Sequence, residues 1–511
     1  MAGWLTASYL KKKNPAIDIT LIEDPAISKT LVGESIAPTV TDFIFDLGID
    51  EKDFIKSTNA SYKLGSKFSN FTNLDKDSDY ISVNINFDQS KLLSNSPITR
   101  RDFINEPGSI TASDMLLELI KRKELTDFTK YWNPHYWYMK KNVGFDSLFE
   151  NKKFKLDKFY ARSLHINAEI TAEYIRDKVA VTLGVTHLQL SVTDVVTEND
   201  NIKFLELSNG TQASADLFVD CTGSARVLVK KLNWDVKYLP DNKIDRAVVC
   251  QLSYENKETE LVNYTDIKGA PHGWMFRIPL YHRMGCGYCF SSSHVSEEEA
   301  IEYYMSQTKN HMFTPKVIRW IPNRLEKIAS GNVVAIGMSA GFIEPLEANA
   351  LRIVITTINN LEDAIKNFDT SFNFEKLNKN ITNTIDNLAL YILSFHTLSQ
   401  RTDTEYWKYM TTLGKQQSHA KVAYNNYISE ESTARDMFIN NSMITLDQHW
   451  LQMYLLQDAN RNLDNWALPD IDDKVLELAK NYFKSRYDYL DQLSNDEVPY
   501  STWLEETIFK S

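Results

Sequence analysis

The sequence predicts a mixed α/β chain that ends in a helical lobe. Three observations carry this. Apolar runs of strand length alternate with segments of helical period as far as about residue 350, the pattern of a largely parallel sheet covered by helices. After that the strand signal fades, and residues 351–367, 375–398 and 472–493 place apolar side chains at helical spacing. Finally, Gly3 opens a helix and Glu23 ends the strand that follows, at the spacing of a Rossmann-like dinucleotide fingerprint. The expected division is a large domain over 1–395 and a helical lobe over 396–511. No Gly/Ser/Pro-rich linker separates them, so they should share one core.

Taken in order, residues 2–12 read as a helix and Ile17–Ile22 as a buried strand. Strand-like runs follow at Tyr80–Asn86, His187–Thr193, Ile202–Leu207, Leu217–Asp220 and Val333–Ile336. Helical patterns fall near 111–124, 168–182 and 297–308. Ser296 followed by Glu299 is a capping box, each side chain satisfying a backbone N–H that the helix start leaves without a partner. Gly285–Phe290 is aromatic and small and reads as a strand. Its Cys286 and Cys289 form a CxxC with no second pair, so packing is the expected role rather than zinc or redox chemistry.

Composition narrows the function. The chain has 511 residues, 43% of them hydrophobic, enough for a large core. Acidic side chains number 68 and basic ones 56, a net charge of -12 that disfavours a nucleic-acid partner. No apolar run approaches the ~20 residues of a membrane span. The lysines at 11–13 follow the first apolar residues, whereas a signal peptide places its charges before them. Four cysteines are too few for a disulfide scaffold, so a reducing, cytoplasmic setting is expected.

The dinucleotide reading has a gap. A full fingerprint has three glycines, and only the last is present as Gly3. The first strand and the first two glycines are expected upstream of Met1. Those glycines cradle a pyrophosphate on a helix N-terminus. Without them, weak cofactor binding and an open lane in the sheet are expected. A second feature of this kind is Asp216–Ser224, where an apolar strand ends in Asp220 and a small-residue turn at Gly223 lets backbone approach a ligand. An ordinary strand and turn account for it equally well.

Gly273-Trp-Met-Phe-Arg-Ile-Pro279 sets two large aromatics, an arginine and a proline in one short run. From composition alone it is a strand end stiffened by proline. The run also resembles the Gly-Trp-x-Trp-x-Ile-Pro motif of flavin-dependent halogenases of the tryptophan halogenase type, with Phe276 at the second tryptophan. Further stretches resemble that family in the same chain order. Val32–Pro38 is similar to its Gly-Glu-Ala-Thr-x-Pro loop, and Tyr62–Phe68 to the segment bearing its lysine. His165-Ile-Asn-Ala168 is similar to its His-x-Asp-Ala helix start, and Gly285–Ser292 to Gly-Ser-Gly-Tyr-Val-Phe-Ser-Ser. Phe342-Ile-Glu-Pro-Leu-Glu347 is close to Phe-Leu-Glu-Pro-Leu-Glu, and Arg401–Trp407 resembles Arg-x-Asp-Thr-Pro-Phe-Trp.

The resemblance implies a soluble enzyme that uses FAD as FADH2, O2 and a halide ion, with a separate flavin reductase as partner. Halide is oxidised to hypohalous acid, which passes through a tunnel to an aromatic substrate. The implied cofactor-binding residues are Gly3, Glu23, Gly33, Glu34, Ser35, Asp220, Gly223 and Gly337. Lys63 is the implied catalytic residue that polarises the hypohalous acid or becomes a haloamine, and Glu347 is the partner that takes the arene proton. Read without the family, Lys63 and Lys67 form a solvated face, and Glu347 is an acid complementing a helix dipole. Trp274, Phe276, Ile278 and Pro279 would wall the tunnel and keep the arene from the flavin.

The chain departs from the family after the glutamate, where Ser-Thr-Gly at the halide site is replaced by Ala348-Asn349-Ala350. Loss of that glycine is expected to alter the backbone and, since chloride is the most strongly hydrated of the usable halides, to favour bromination or iodination. His449 and Trp450 are candidate substrate residues, but Thr445 stands where tryptophan halogenases have an acid, so an indole, phenol or other electron-rich arene is expected over free tryptophan. A flavin monooxygenase and a non-catalytic relative that binds aromatic ligands are the alternatives, and a homo-oligomer is left open.

Overall fold

The computed structural model describes residues 1–27, 33–74, 80–83, 112–125, 130–131, 135–147, 163–308, 314–368, 371–416 and 470–511. The chain divides into two compact units, each assembled from three separated segments. The first comprises Met1–Ser61, Leu164–Ser253 and Leu280–Leu393, and the second Tyr62–Ser163, Tyr254–Pro279 and Ser394–Ser511. One division falls between Leu393 and Ser394. Residues 62–163 and 254–279 nevertheless group with the C-terminal helices. A linear division does not show this, because strand pairing joins residues far apart in the chain.

In the first unit, Thr20–Ile22 pairs in parallel with Thr186–Leu188, and Phe218–Asp220 in parallel with Val333–Ala335. These two pairs belong to separate sheets. Arg246–Leu252 runs antiparallel to both Met284–Phe290 and Lys316–Arg319, and Gly33–Ser35 antiparallel to Ser163–Asn167. Val192–Glu198 and Asn201–Leu207 form a further antiparallel pair. The expected largely parallel sheet is therefore corrected: parallel pairing is local, since periodicity shows a strand but not its partner's direction. The run expected as one strand over His187–Thr193 is split between Thr186–Leu188 and Val192–Glu198.

The helices follow their patterns closely. Ala2–Lys13 covers the expected 2–12, and Glu297–Gln307 carries the Ser296/Glu299 capping box at 3.1 and 3.2 Å. Ala168–Ile175 continues into a wide turn over Arg176–Ala180, together filling the segment expected from 168. Asn349–Lys366 buries Leu351, Ile353, Val354, Ile355, Ile358 and Leu361 and packs on Ala2–Lys13. At ~1.5–3 kcal/mol for each buried aliphatic side chain, this stripe contributes on the order of 10 kcal/mol toward the entropy cost of folding.

In the second unit, Gly65–Ser69 lies between Tyr80–Val83, antiparallel, and Tyr264–Ala270, parallel. Gly273–Pro279 completes the row, antiparallel to Tyr264–Ala270. Glu405–Gln416, Asp473–Asn495 and Tyr500–Leu504 supply the C-terminal helices. Among the described residues, no helix is long and apolar enough to cross a membrane.

Candidate active site

The dinucleotide features meet in the first unit. A Cβ on Gly3 would lie 3.4 Å from Leu21 Cδ1 and 3.7 Å from Cys221 Cβ, ordinary van der Waals distances, so the helix start packs beside Leu21 and Cys221. Glu23 follows its strand with its N–H bonded to Leu188 O at 2.9 Å and its carboxylate 3.2 Å from His187 Nε2. Gly223 and Gly337 adopt φ of 69° and 72°, values that disfavour any side chain. A Cβ on Gly223 would meet nothing within 4 Å, whereas one on Gly337 would touch Val354 and Ala2. Open space over a left-handed glycine is what a dinucleotide needs to approach backbone, so the Gly223 turn fits a flavin.

Asp220 has another role than the implied direct one. Its Oδ1 accepts from Thr222 N, Thr222 Oγ1 and Ser339 Oγ at 2.9, 2.6 and 2.9 Å, and its Oδ2 from the Leu228 and Val229 N–H groups at 3.0 and 3.1 Å. Five donors occupy the fully buried carboxylate, which makes it the latch that shapes the Gly223 turn. Burial and the Asp220 charge push the adjoining Cys221 thiol up to about 12. Gly33–Ser35 pairs with His165–Asn167, Ser35 facing His165 and Gly33 facing Asn167. Asn167 caps the next helix by accepting from Glu169 N and Ile170 N. A Cβ on Gly285 would lie 2.6 Å from Gly33 N, so two strands meet backbone to backbone there. Burial raises the Glu34 carboxyl above its ordinary value.

The Phe342–Glu347 run is fixed by Trp320 Nε1, which donates to Ile343 O at 2.7 Å. Glu344 is buried; burial pushes the nearby Cys289 thiol well up, and the Glu344 carboxylate adds to this. Glu347 and Ala348 then adopt φ of 60° and 57° in succession. Two adjacent non-glycine residues in the left-handed region store strain, which concentrates at functional turns. They lead directly into the helix Asn349–Lys366, whose start no side chain caps. Asn349 is buried and donates instead to Leu346 O at 3.1 Å. A left-handed residue followed by a right-handed one aims successive N–H groups at one point, a backbone nest for an anion. Ala350 lies in the helix with no positive φ. The positive φ values fall at 347–348, ahead of the position where the family's glycine was expected.

The second unit holds Lys63, on the strand Ser61–Lys63. Only 5% of it is exposed, which removes the solvated-face reading; Lys67 is half-buried on the next strand. The backbone on each side is held. Tyr500 Oη donates to Tyr62 O at 3.0 Å, and Leu64 N donates to Asn263 O at 2.8 Å. The fully buried Asn263 donates in turn to Tyr138 O and Val143 O. Tyr62, on the opposite strand face from Lys63, packs in a ring cluster with Phe145 and Trp503 at 5.4 and 5.6 Å. Tyr500 and Trp503 were not singled out in the sequence: their only signal is aromatic content near the C-terminus.

Trp274, Phe276 and Ile278 share one face of Gly273–Pro279, all buried, with the Trp274 and Phe276 rings 5.8 Å apart. Ile267 stands opposite Phe276, and Gly269 opposite Trp274. Arg277, between them in sequence, faces solvent. The Arg401 motif braces this hairpin. Arg401 donates to Asp403 at 2.9 and 2.8 Å and to Asn70 O at 2.8 Å, and stacks on Trp407 at 4.4 Å. Trp407 Nε1 reaches Ala270 O, and Thr404 Oγ1 reaches Pro271 O. Lys63 and Glu347 fall in different units. His449, Trp450 and Thr445 lie outside the described residues.

A helix opening at Gly3, an acid closing the next strand and left-handed glycines after two strands fit a Rossmann-type dinucleotide-binding domain. The family model for tryptophan halogenase matches residues 1–451. A tryptophan 7-halogenase of Lentzea aerocolonigenes is 28% identical over 429 residues, covering 80% of this chain and 76% of that protein. A tryptophan 6-halogenase of Streptomyces albogriseolus is 25% identical over 434 residues, covering 80% and 76%. In fold, the tryptophan halogenase from Shewanella frigidimarina superposes with a TM-score of 0.84 at 21% identity, covering 100% of this chain and 96% of that one. The chain belongs to the tryptophan halogenase family and is a flavin-dependent halogenase.

Proposed function

We propose that this enzyme halogenates an electron-rich arene through Lys63 and Glu347, and that it prefers bromide or iodide to chloride. The observation that carries the reading is the burial of Lys63. A lysine withdrawn from water on a strand braced at both neighbours is costly to keep, and such groups cluster at functional sites.

When bound, the reduced flavin supplies the O2-derived oxidising equivalent that turns halide into hypohalous acid. Gly223 leaves the dinucleotide's approach open, Gly3 and Gly337 hold the neighbouring elements around it, Glu23 is offered to ribose hydroxyls, and Asp220 holds the turn. Gly33, Glu34 and Ser35 form the strand beside it. The backbone N–H groups at Ala348, Asn349 and Ala350 bind the halide. Lys63 donates a hydrogen bond that polarises the hypohalous acid, or as free amine carries the halogen itself. Glu347 accepts the proton that leaves the halogenated ring. Trp274, Phe276, Ile278 and Pro279 exclude the arene from the flavin, which prevents direct oxygen insertion. Phe276, a smaller ring than tryptophan, leaves more room for a large halide. A separate flavin reductase supplies FADH2, as the family requires.

Mass spectrometry of an indole and phenol panel, with reductase, NADH, FAD and an equimolar halide mixture, tests this. Brominated or iodinated arene is expected, with little product from free tryptophan. Mainly chlorinated product overturns the halide preference, and hydroxylated product formed without halide overturns halogen transfer itself.

A further inference from the structure

Lys63 stands where its own strand stops. Ser61–Lys63 is three residues long, and the next strand begins at Gly65. A lysine carries its amine on a flexible four-carbon stem, so the amine is only as well placed as the backbone beneath it. One residue from each of the three segments of this unit holds that backbone. Tyr500, fully buried, donates from Oη to Tyr62 O at 3.0 Å. Asn263, also fully buried, accepts at its carbonyl from Leu64 N at 2.8 Å. Asn142 joins the two: its O accepts from Tyr500 N at 3.0 Å and its Oδ1 from Asn263 N at 3.2 Å. A closed ring of hydrogen bonds thus runs through Tyr62–Leu64, Asn263, Asn142 and Tyr500. Packing alone does not ask for it. Asn142 holds a left-handed φ of 51°, and Asn263 Oδ1 is buried with no hydrogen-bond partner among the described residues, each a cost in stability. Tyr500 is itself fixed. Val143 and Pro499 form a bridge, Gly144 N donates to Val498 O at 2.9 Å, and the Tyr500 ring stacks with Phe145 and Trp503 at 6.4 and 6.0 Å.

We propose that Tyr500 is a positioning residue for Lys63, acting through the Tyr62 carbonyl, and that it sets the fraction of hypohalous acid delivered to the arene. This rests on the reading of Lys63 as the group that passes the halogen on. The part of Tyr500 is to fix the backbone from which the amine is presented, not to meet the reacting atoms. Rates fall steeply with misplacement, by ~100-fold for 1 Å. Removing the hydroxyl leaves the Tyr62 carbonyl without that donor and frees the strand end to shift. Halide oxidation is the earlier step and does not depend on where the amine sits.

The test uses the full chain with reductase, NADH, FAD, bromide, the best arene of the panel and a soluble hypohalite scavenger in the same vessel. It reads coupling, the ratio of brominated arene to brominated scavenger. Losing one hydrogen bond corresponds to about tenfold. Tyr500→Phe should lower coupling by about that factor, with the total of the two brominated products and the arene KM both kept. Phe145→Leu disturbs the same ring cluster but leaves the hydrogen bonds to the lysine strand in place. It should melt at least as low as Tyr500→Phe and keep wild-type coupling. Asn142→Gly keeps the left-handed backbone and the acceptor for Tyr500 N but removes the acceptor for Asn263 N. Its coupling should fall in the same direction, and it decides the matter should Tyr500→Phe not fold. Wild-type coupling in a folded Tyr500→Phe protein overturns the proposal, as does an equal loss in Phe145→Leu. Wild-type coupling in Lys63→Ala would instead overturn the reading of Lys63 on which the proposal rests.

Discussion

Replacing Ala348 by glycine tests the strained turn that leads into the helix Asn349–Lys366. Ala348 sits at φ 57° and ψ 30°. For a residue with a Cβ that region costs ~1–2 kcal/mol, which glycine escapes. Glycine returns ~0.5–1 kcal/mol of this through the larger entropy of its unfolded chain. The balance is a gain of roughly 0.5–1 kcal/mol. Ala350→Gly is the matched control. Ala350 has ordinary helical backbone, so glycine there costs ~0.5–1 kcal/mol. In a cooperative unit of a few hundred residues, 1 kcal/mol moves the thermal midpoint by about 2 °C. Scanning calorimetry of the first unit's transition should therefore show Ala348→Gly above wild type and Ala350→Gly below it. An Ala348→Gly protein that melts as low as Ala350→Gly would refute the strained-nest geometry, and with it the assignment of the anion site to this turn.

Three further outcomes follow from the packing. Arg401→Lys keeps the charge but loses the fork on Asp403 and the contact with Asn70 O, and should cost about 2–3 kcal/mol in urea unfolding at neutral pH. The hydrogen bonds from Arg401 hold the Asp403 carboxyl below its ordinary value. Their support is thus full above that ordinary value, and the gap between the two proteins should close as pH falls through the depressed one; a gap that persists in acid would show the fork contributes nothing through charge. Glu34→Gln imitates the protonated state that burial favours. Because the folded-state value is raised, the penalty on the carboxylate is absent in acid and grows with pH, so the variant should melt above wild type at pH 8 and equal to it near pH 4. Gly285→Ala drives a Cβ into the Gly33 backbone at 2.6 Å, and a loss of about 1–3 kcal/mol with weaker flavin binding is expected; unchanged melting and flavin titration would contradict the close strand approach.

Much of this architecture is written locally. The capping box at Ser296, the apolar stripe of 351–361 and the strand ending at Asp220 all rest on neighbours within a turn or two, and sequence shows those directly. Strand direction does not, because an antiparallel partner such as Cys286 for Cys250 leaves no trace in either strand's own period. The same reason hides the grouping of 62–163 with the C-terminal helices. The burial of Lys63 is a tertiary outcome, and only its motif pointed to it. Asp220 was legible as important but not in role, since its five donors come from residues up to Ser339.

The central claim is that Lys63 acts after halide oxidation and not in it. Lys63→Ala with reductase, NADH, FAD and bromide, assayed in parallel with a soluble hypohalite scavenger and with the best arene of the panel, separates the two steps. The scavenger should be halogenated at the wild-type rate while arene product falls about 100-fold or more, the loss expected when a positioned proton donor is removed. Arene product at the wild-type rate, or loss of both signals together in a folded variant that binds flavin, would contradict the account.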